Sequence, residues 1–118
     1  MSDRPPLLYC QDILDSGQAI LSYVRGITFD AFVQDRMRYS AVIREFEIIG
    51  EAVGKLPMVL KDEYPDIPWQ DIKDFRNLLA HEYFGVDLEI VWNTVQNDLP
   101  ILLDAVQKIE ERTQVQEG

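Results

Sequence analysis

The sequence predicts an all-α fold, an antiparallel bundle of four to five helices. Apolar residues recur at steps of three and four along most of the 118 residues, which is the spacing of one buried face of an α-helix. No segment sustains the period-two alternation of a half-buried strand. A proline-rich stretch at residues 57–68 divides the helical pattern. Helices joined by connections this short pack as antiparallel neighbours.

The first predicted helix follows two prolines. Pro5 and Pro6 suit a first turn, because the N–H that proline lacks would have no partner there. Gly26 marks the expected end of this helix. Its apolar stripe consists of Cys10, Ile13, Gly17, Ile20, Val24 and Ile27.

The second predicted helix is a long one. Thr28 or Asp30 can cap its N-terminus, and Pro57 requires the helix to end before that residue. At ~3.6 residues per turn it would run for about seven turns. Its stripe consists of Tyr39, Val42, Phe46, Ile49, Val53 and Leu56.

Two further helices follow the proline-rich stretch, which itself has room for one short helical turn at most. The third helix is expected to begin near Trp69 and to run out near Gly85. Asp87 can cap the fourth helix, and Pro100 should kink it, because proline removes one backbone hydrogen bond. The glutamate-rich end, about residues 111–118, is expected to fray. The third helix would turn Ile72, Phe75 and Leu79 inward, and the fourth Leu88, Trp92, Val95, Leu99, Leu102, Val106 and Ile109.

Composition bounds the number of domains and the chemistry. With 47% hydrophobic residues and no repeat or linker, residues 1–118 are expected to form one domain. The single cysteine, Cys10, cannot form an internal disulfide, which fits a reducing compartment. One cysteine and one histidine cannot close a zinc site, and no clustered acidic motif indicates magnesium. We therefore expect no metal and no cofactor.

The N-terminus and the net charge indicate the surroundings of the protein. Residues 1–6 lack the pattern of a signal peptide, and no apolar run approaches the ~20 residues that span a bilayer, so we expect a cytoplasmic protein without a membrane segment. The net charge of −10 argues against broad adhesion to nucleic acid, which depends on Lys and Arg. RNA would have to bind locally, or the acidic surface would serve a basic partner. A local RNA site would gather Arg36, Arg38, Arg44, Lys73 and Arg76.

One stretch gathers the residues that an active site would need. Arg76, the only histidine, His81, and Tyr83 fall within eight residues. Histidine exchanges protons near neutral pH, because its unperturbed pKa is about 6.5, and the nearby cation suggests an anionic substrate. On a helix at ~100° per residue, Arg76 and Tyr83 lie roughly 20° apart, whereas His81 lies about 140° from Arg76. The three converge only if the helix loosens near His81, as Gly85 permits, or if a second copy completes the site across a twofold axis.

The same residues also have structural interpretations. A lone histidine near a helix end is commonly a cap or a hydrogen-bonded structural residue. Arg76 could pair with Glu82 or Asp74, and Tyr83 could be the half-buried edge of the core. Residue types and spacing alone therefore lead to a helical domain with one polar cluster.

At this cluster the sequence resembles a known family. Arg76-x4-His81-x-Tyr83 resembles the R-x4-H-x-Y motif of the HepT-like toxins, a family within the HEPN superfamily of helical domains. The resemblance covers essentially the whole chain, in the family's order. It is also carried by Ile49-Gly50-Glu51-Ala52-Val53, Pro68-Trp69, Arg76-Asn77, Tyr83-Phe84-Gly85-Val86-Asp87 and Val91-Trp92.

This resemblance implies a toxin of a two-gene toxin–antitoxin pair that acts as a metal-independent endoribonuclease. It implies a homodimer whose two motifs face one cleft. The partner would be an MntA-type nucleotidyltransferase antitoxin, which transfers AMP to Tyr83 and thereby silences the toxin.

The resemblance also implies residue roles in RNA cleavage. His81 would exchange protons with a ribose 2′-hydroxyl or the departing 5′-oxygen, and Arg76 would hold the scissile phosphate. Asn77 is a weaker candidate for substrate binding. Cleavage would leave a 2′,3′-cyclic phosphate without any metal. Two alternatives stay open, namely a non-catalytic module that binds the nucleotidyltransferase and a structural dimeric bundle whose motif caps its core.

Overall fold

Helices form nearly all of the chain that the structure describes. The computed structural model describes residues 5–81 and 85–117, and the side chains of all of these except 81, 116 and 117. Within those ranges there is no strand, so the predicted all-α class is confirmed. The helices are α1 (Pro6–Val24), α2 (Phe29–Gln34), α3 (Arg36–Lys55), α4 (Met58–Asp62), α5 (Trp69–His81), α6 (Leu88–Asn93) and α7 (Leu99–Glu117), with a π-helical turn at Thr94–Asp98 that joins the last two.

Helix α1 forms as the apolar stripe predicts. A proline stands at its first turn, and Gly26 follows its end with a φ of 75°, a conformation that glycine adopts without steric cost. The buried side of the helix comprises Cys10, Ile13, Ser16, Gly17, Ile20 and Val24. Ile27, beyond the helix, is only partly buried.

The second predicted helix is wrong as a single element, because the structure divides it at Asp35. Thr28 caps α2 by accepting a hydrogen bond from the Ala31 amide at 3.1 Å, as predicted. Asp35 then ends α2 and caps α3 by accepting from the Arg38 amide at 3.1 Å. An aspartate side chain that bonds a nearby amide offers the backbone an alternative to continued helix. The chain therefore turns where spacing alone predicted seven unbroken turns.

This turn delivers an aromatic ring to the core. Phe32 on α2 is 0% exposed. Its ring centroid lies 5.2 Å from that of Trp92 and 6.3 Å from that of Tyr39. Offset and edge-on aromatic pairs of this kind add to the stability gained from burial. The break at Asp35 thus lets the short helix α2 close one end of the bundle.

Helix α1 lies between α3 and α7 and runs antiparallel to both. At one end of α1, the Tyr23 hydroxyl donates to Glu45 at 2.9 Å, and Arg38 donates to the Tyr23 carbonyl. At the other end, α1 faces the last turns of α3. Along α7, Gly17 packs on Leu103. Helix α5 lies on another side of α3, so the order across the bundle is α5, α3, α1 and α7.

The proline-rich stretch contains the single short helix that the sequence allowed, α4. The start of α5 is fastened to this stretch by Trp69, whose indole Nε1 donates to the carbonyls of Lys61 and Tyr64, both at 3.1 Å. The predicted start of the third helix at Trp69 is confirmed. Residues 82–84, where that helix was expected to run out, lie outside the described residues.

The predicted fourth helix is not continuous, because a π-helical turn at Thr94–Asp98 divides it into α6 and α7. The expected kink at Pro100, which lies near the start of α7, stays a prediction. Asp87 caps α6 by accepting from the Glu89 amide at 2.9 Å. The π-helical turn ends two residues before Pro100, and such a turn holds an extra residue that rotates the buried face. Val91 and Leu103 are therefore buried, while the predicted Leu88, Trp92 and Leu102 are only partly so. The predicted Val95, Leu99, Val106 and Ile109 are buried.

Two further expectations concern the chain as a whole. The segment 111–118 is helical as far as Glu117, and fraying, which is a motion, stays a prediction. Among the described residues, no helix combines the length and the apolar character needed to cross a membrane.

We expect Phe32→Ala to lower the free energy of unfolding by about 3–5 kcal/mol, because it removes a fully buried ring and leaves a cavity. Urea denaturation followed by circular dichroism measures the change. Met37→Ala, at a side chain that is 85% exposed, is the control and should stay within about 0.5 kcal/mol of wild type. A similar small loss for Phe32→Ala would contradict a core anchored by α2.

Candidate functional site

Helix α5 carries positions 76 and 81 of the predicted motif and packs on the bundle through α3. Leu79 is buried and Phe75 is partly buried. The Phe75 ring lies edge-on to Phe46 of α3, with centroids 5.1 Å apart and planes at 85°. This face of α5 holds the helix in place, so the neighbouring motif positions are set by its packing on α3.

Arg76 is in unusually close contact with α3. Its side chain is half-buried, and its stem lies directly on Gly50, which has no side chain. A Cβ atom added at Gly50 would lie 2.5 Å from both Cβ and Cγ of Arg76. The Arg76 stem therefore rests on the backbone of α3, in space that any other residue at position 50 would occupy.

No acidic partner neutralises Arg76 within residues 5–81 and 85–115. Neither of the ion pairs there involves it. The alternative pairing with Asp74 is not observed: neither ion pair joins the two residues, and the Asp74 carboxylate accepts a hydrogen bond from Gln70 at 2.9 Å. The other suggested partner, Glu82, lies outside the described residues. As far as the described chain goes, the guanidinium of Arg76 is available to bind an anion.

The structure keeps positions 76 and 81 apart on one helix. Helix α5 is still α-helical at His81, so position 81 remains about 140° around the helix from position 76. The helix is not loosened as far as His81, and residues 82–84, over which the expected loosening near Gly85 would extend, lie outside the described residues. Asn77 is half-buried and lies one turn before position 81. The His81 side chain and all of Tyr83 lie outside the described residues.

The expected gathering of basic residues does not form within one chain. Arg38 is bonded to Asp35 at 3.0 Å and to the Tyr23 carbonyl, at the start of α3. It precedes Gly50 by twelve residues, which is about 18 Å along a helix at 1.5 Å per residue. Arg36 is further away still. Along the helix axes the other two residues of the expected set are less distant: Arg44 lies about 9 Å from Gly50 on α3, and Lys73 lies one turn before Arg76 on α5.

An apolar groove, which the sequence analysis missed, runs along α5. It has a volume of about 500 Å³ and lies between α5, α3 and the start of α7. Ile101 lies in it, 69% exposed, and its position off the buried stripe of α7 was the available signal. Three exposed carboxylates, Asp66, Asp71 and Asp98, also line the groove, and its apolar surface includes Phe46, Ile72, Phe75, Leu99, Ile101 and Leu102.

Metal binding and catalysis by the cysteine thiol find little support in the described chain. Within it, no three His, Cys, Asp or Glu side chains lie together in a way that could hold a metal ion. Burial, with a smaller effect of Glu110, raises the pKa of the Cys10 thiol to about 11. Cys10 is therefore a protonated core residue at neutral pH and is unsuited to act as a nucleophile.

Comparison with known protein families identifies the family of this chain. The family described as "Ribonuclease HepT-like" matches residues 13–109, a span that includes α3, α5 and the groove. The chain belongs to the HepT-like ribonuclease family. The resemblance found in the sequence is thereby confirmed at the level of the family.

Curated relatives of this HepT-like chain carry ribonuclease names. The "Probable ribonuclease HepT" of Thermococcus cleftensis is 40% identical over 101 residues, which cover 86% of this chain and 92% of the relative. A "Putative RNase" of Caldanaerobacter subterraneus subsp. tengcongensis is 38% identical over 106 residues, covering 90% and 95% respectively. Another "Putative RNase", from Methanocaldococcus jannaschii, is 39% identical over 103 residues, covering 87% and 83%. No solved structure matches the chain.

We expect Arg76→Met to unfold with a free energy within about 0.5 kcal/mol of wild type, because methionine keeps an unbranched stem on Gly50 and no described ion pair is lost. Urea denaturation at neutral pH measures this. Gln70→Ala, on the exposed side of α5, serves as the control. A loss of about 1.5 kcal/mol or more would instead indicate that the guanidinium makes a charged structural hydrogen bond.

Proposed function

We propose that this HepT-like chain is the toxin of a toxin–antitoxin pair and a metal-independent endoribonuclease. The observation that carries the proposal is Arg76, fixed on the α3 backbone at Gly50 without an acidic partner in the described chain. An arginine held in this way is suited to bind a phosphate, because its planar fork donates two parallel hydrogen bonds. Membership of a family described as ribonucleases supplies the substrate class.

The proposed cleavage uses the ribose 2′-hydroxyl as its own nucleophile. The 2′-oxygen attacks the adjacent phosphorus, the bond to the 5′-oxygen breaks, and a 2′,3′-cyclic phosphate remains. His81 takes the proton from the 2′-hydroxyl or gives one to the departing 5′-oxygen. Arg76 stabilises the additional negative charge of the transition state. Asn77, half-buried beside position 81, is a candidate to orient the phosphate.

A homodimer would bring these groups together. On a regular α5, one chain separates positions 76 and 81 by about 140°, so a single copy does not supply both to one point. The apolar groove offers a second copy a place to pack, and Leu78, three residues after the groove residue Phe75 on α5, is a further apolar side chain that is 39% exposed. Exposed apolar surface of this kind marks interfaces. A second copy seated there would lie directly against the motif helix.

Silencing is proposed to occur at Tyr83. An MntA-type nucleotidyltransferase antitoxin would bind ATP, and the Tyr83 oxygen would attack the α-phosphorus. A phosphodiester to AMP forms, pyrophosphate leaves, and the phenolic proton passes to a base of the partner enzyme. The added phosphate brings negative charge and bulk next to Arg76 and His81, so RNA would be repelled and blocked.

Purified wild type is expected to cleave RNA in the presence of EDTA and to leave 2′,3′-cyclic phosphate ends. His81→Ala should reduce the rate by about 10²- to 10⁴-fold, the usual effect of removing a general acid or base. Gel assays measure the rate and mass spectrometry identifies the ends. Gln70→Ala is the control on the same helix, and circular dichroism verifies that each variant is folded. Harmless expression together with intact RNA would favour a non-catalytic module that binds the nucleotidyltransferase.

Ile101→Asp is expected to convert a dimer into a monomer of 13.7 kDa and to abolish cleavage, because it places a charge in the apolar groove. Sedimentation equilibrium measures the mass. Val115→Asp is the matched control, since Val115 lies on the same helix, is 79% exposed and does not line the groove. If Ile101→Asp remains dimeric, the interface lies on another face.

Co-expression of the nucleotidyltransferase is expected to abolish the toxicity of wild type but not that of Tyr83→Phe, which lacks the acceptor hydroxyl. Growth after induction gives the first readout. Transfer of label from the α-phosphate of ATP to the purified chain gives the second. The assignment fails if Tyr83→Phe is fully neutralised by the active partner and still accepts label.

A further inference from the structure

We infer that Gly50 is a positioning residue for Arg76, because the side chain it lacks leaves the space in which the arginine stem lies. The inference rests on the proposed function, in which Arg76 stabilises the negative charge of the scissile phosphate in the transition state. Gly50 itself is not proposed to touch the substrate. It acts by fixing where the guanidinium begins and in which direction it can extend.

The contact leaves no room for a larger residue. A Cβ at position 50 would lie 2.5 Å from Cβ of Arg76, 2.5 Å from Cγ and 3.5 Å from Cδ. Two non-bonded carbon atoms normally approach no closer than about 3.5–4.0 Å. Cβ of Arg76 is bonded to the backbone, so no side-chain rotation can move it away. Gly50→Ala therefore requires the helix backbones to separate locally by about 1 Å.

Helix α5 cannot make this movement freely. The start of α5 is held by the two hydrogen bonds of Trp69, and the Phe75 ring packs edge-on against Phe46. Leu79 is buried one turn further on. Because α5 is held in place both before and after Arg76, a new methyl group at position 50 pushes on the arginine side chain. The guanidinium at the end of that side chain is thereby displaced.

The requirement for glycine is local to this contact. Gly54 lies one turn later on α3, and a Cβ added there meets nothing within 4 Å. The two glycines thus share one helix and nearly one face, but only Gly50 faces the motif arginine. Gly54→Ala is consequently a matched control that makes the same chemical change in open space.

The first experiment measures RNA cleavage by wild type, Gly50→Ala and Gly54→Ala. Because Arg76 is proposed to act in the transition state, Gly50→Ala should lower kcat by about 10- to 100-fold with KM within about twofold. Gly54→Ala should leave both constants unchanged. Equal losses in the two variants, or none in Gly50→Ala, would overturn the inference.

A double-variant cycle separates positioning from a general structural defect. In an Arg76→Ala background the guanidinium is already gone, so adding Gly50→Ala should change kcat by less than about twofold. A structural defect would lower kcat by the same factor in both backgrounds, and that result would overturn the inference. If Arg76→Ala itself cleaves RNA as fast as wild type, the proposed role of Arg76 fails instead.

If wild type does not cleave RNA, a measurement that is independent of activity still tests the contact between Gly50 and Arg76. In wild type labelled with ¹³C and ¹⁵N, nuclear Overhauser effects should connect the Gly50 Hα protons with the Arg76 Hβ and Hγ protons, without any substitution. The Arg76 Nε–Hε signal, assigned through Arg76→Lys, should shift in Gly50→Ala and not in Gly54→Ala. Absence of the Overhauser contact, or an unshifted signal in a folded Gly50→Ala, would overturn the positioning role.

Discussion

Helix α3 has to bury two sides at once, one against α1 and one against α5, and the rest of the structure depends on this double packing. On the side towards α1, Glu45 accepts a hydrogen bond from Tyr23 at one end of the contact, and Ala52 lines a small pocket with Tyr9 near the other end. The side towards α5 is formed by Phe46 and Gly50. Interhelical distances are set by the side chains at the contact. The absence of a side chain at Gly50 is therefore what lets α5 lie as close as it does.

This constraint also fixes the geometry of the proposed functional site. A motif helix on the outside of a bundle would ordinarily leave a long arginine free to move, and ordering it on substrate binding would cost entropy. Here the Arg76 stem is ordered in advance by contact with α3, so part of that cost is met during folding. The proposed site is local, so under that proposal a chain of net charge −10 presents one fixed cation to one phosphate. The separation of Arg36 and Arg38 from this point makes the geometry of a single arginine more important.

The sequence predicted the helices wherever the apolar period was unbroken, and failed where a polar side chain or an extra residue intervened. Helix α1 and the start of α5 at Trp69 follow the predicted pattern. The break at Asp35 escaped prediction because an aspartate off the apolar stripe is compatible with a solvent-facing position in a continuous helix until its bond to the Arg38 amide is seen. The π-helical turn before Pro100 escaped prediction because its extra residue changes the buried face without disturbing the apolar composition. The motif helix was predicted, but the groove beside it was not.

The sequence by itself determined the class of the fold, the family and the helix that carries Arg76, because these depend on residue types and on spacing within short segments. Only the tertiary structure decided that α2 turns back at Asp35 to bury Phe32, that the Arg76 stem rests on Gly50, and that an apolar groove lies open along α5. The physical reason is that each of these depends on the distance between helices far apart in the chain. That distance is set by which side chains are absent or small where two helices meet, and spacing within one helix does not encode it.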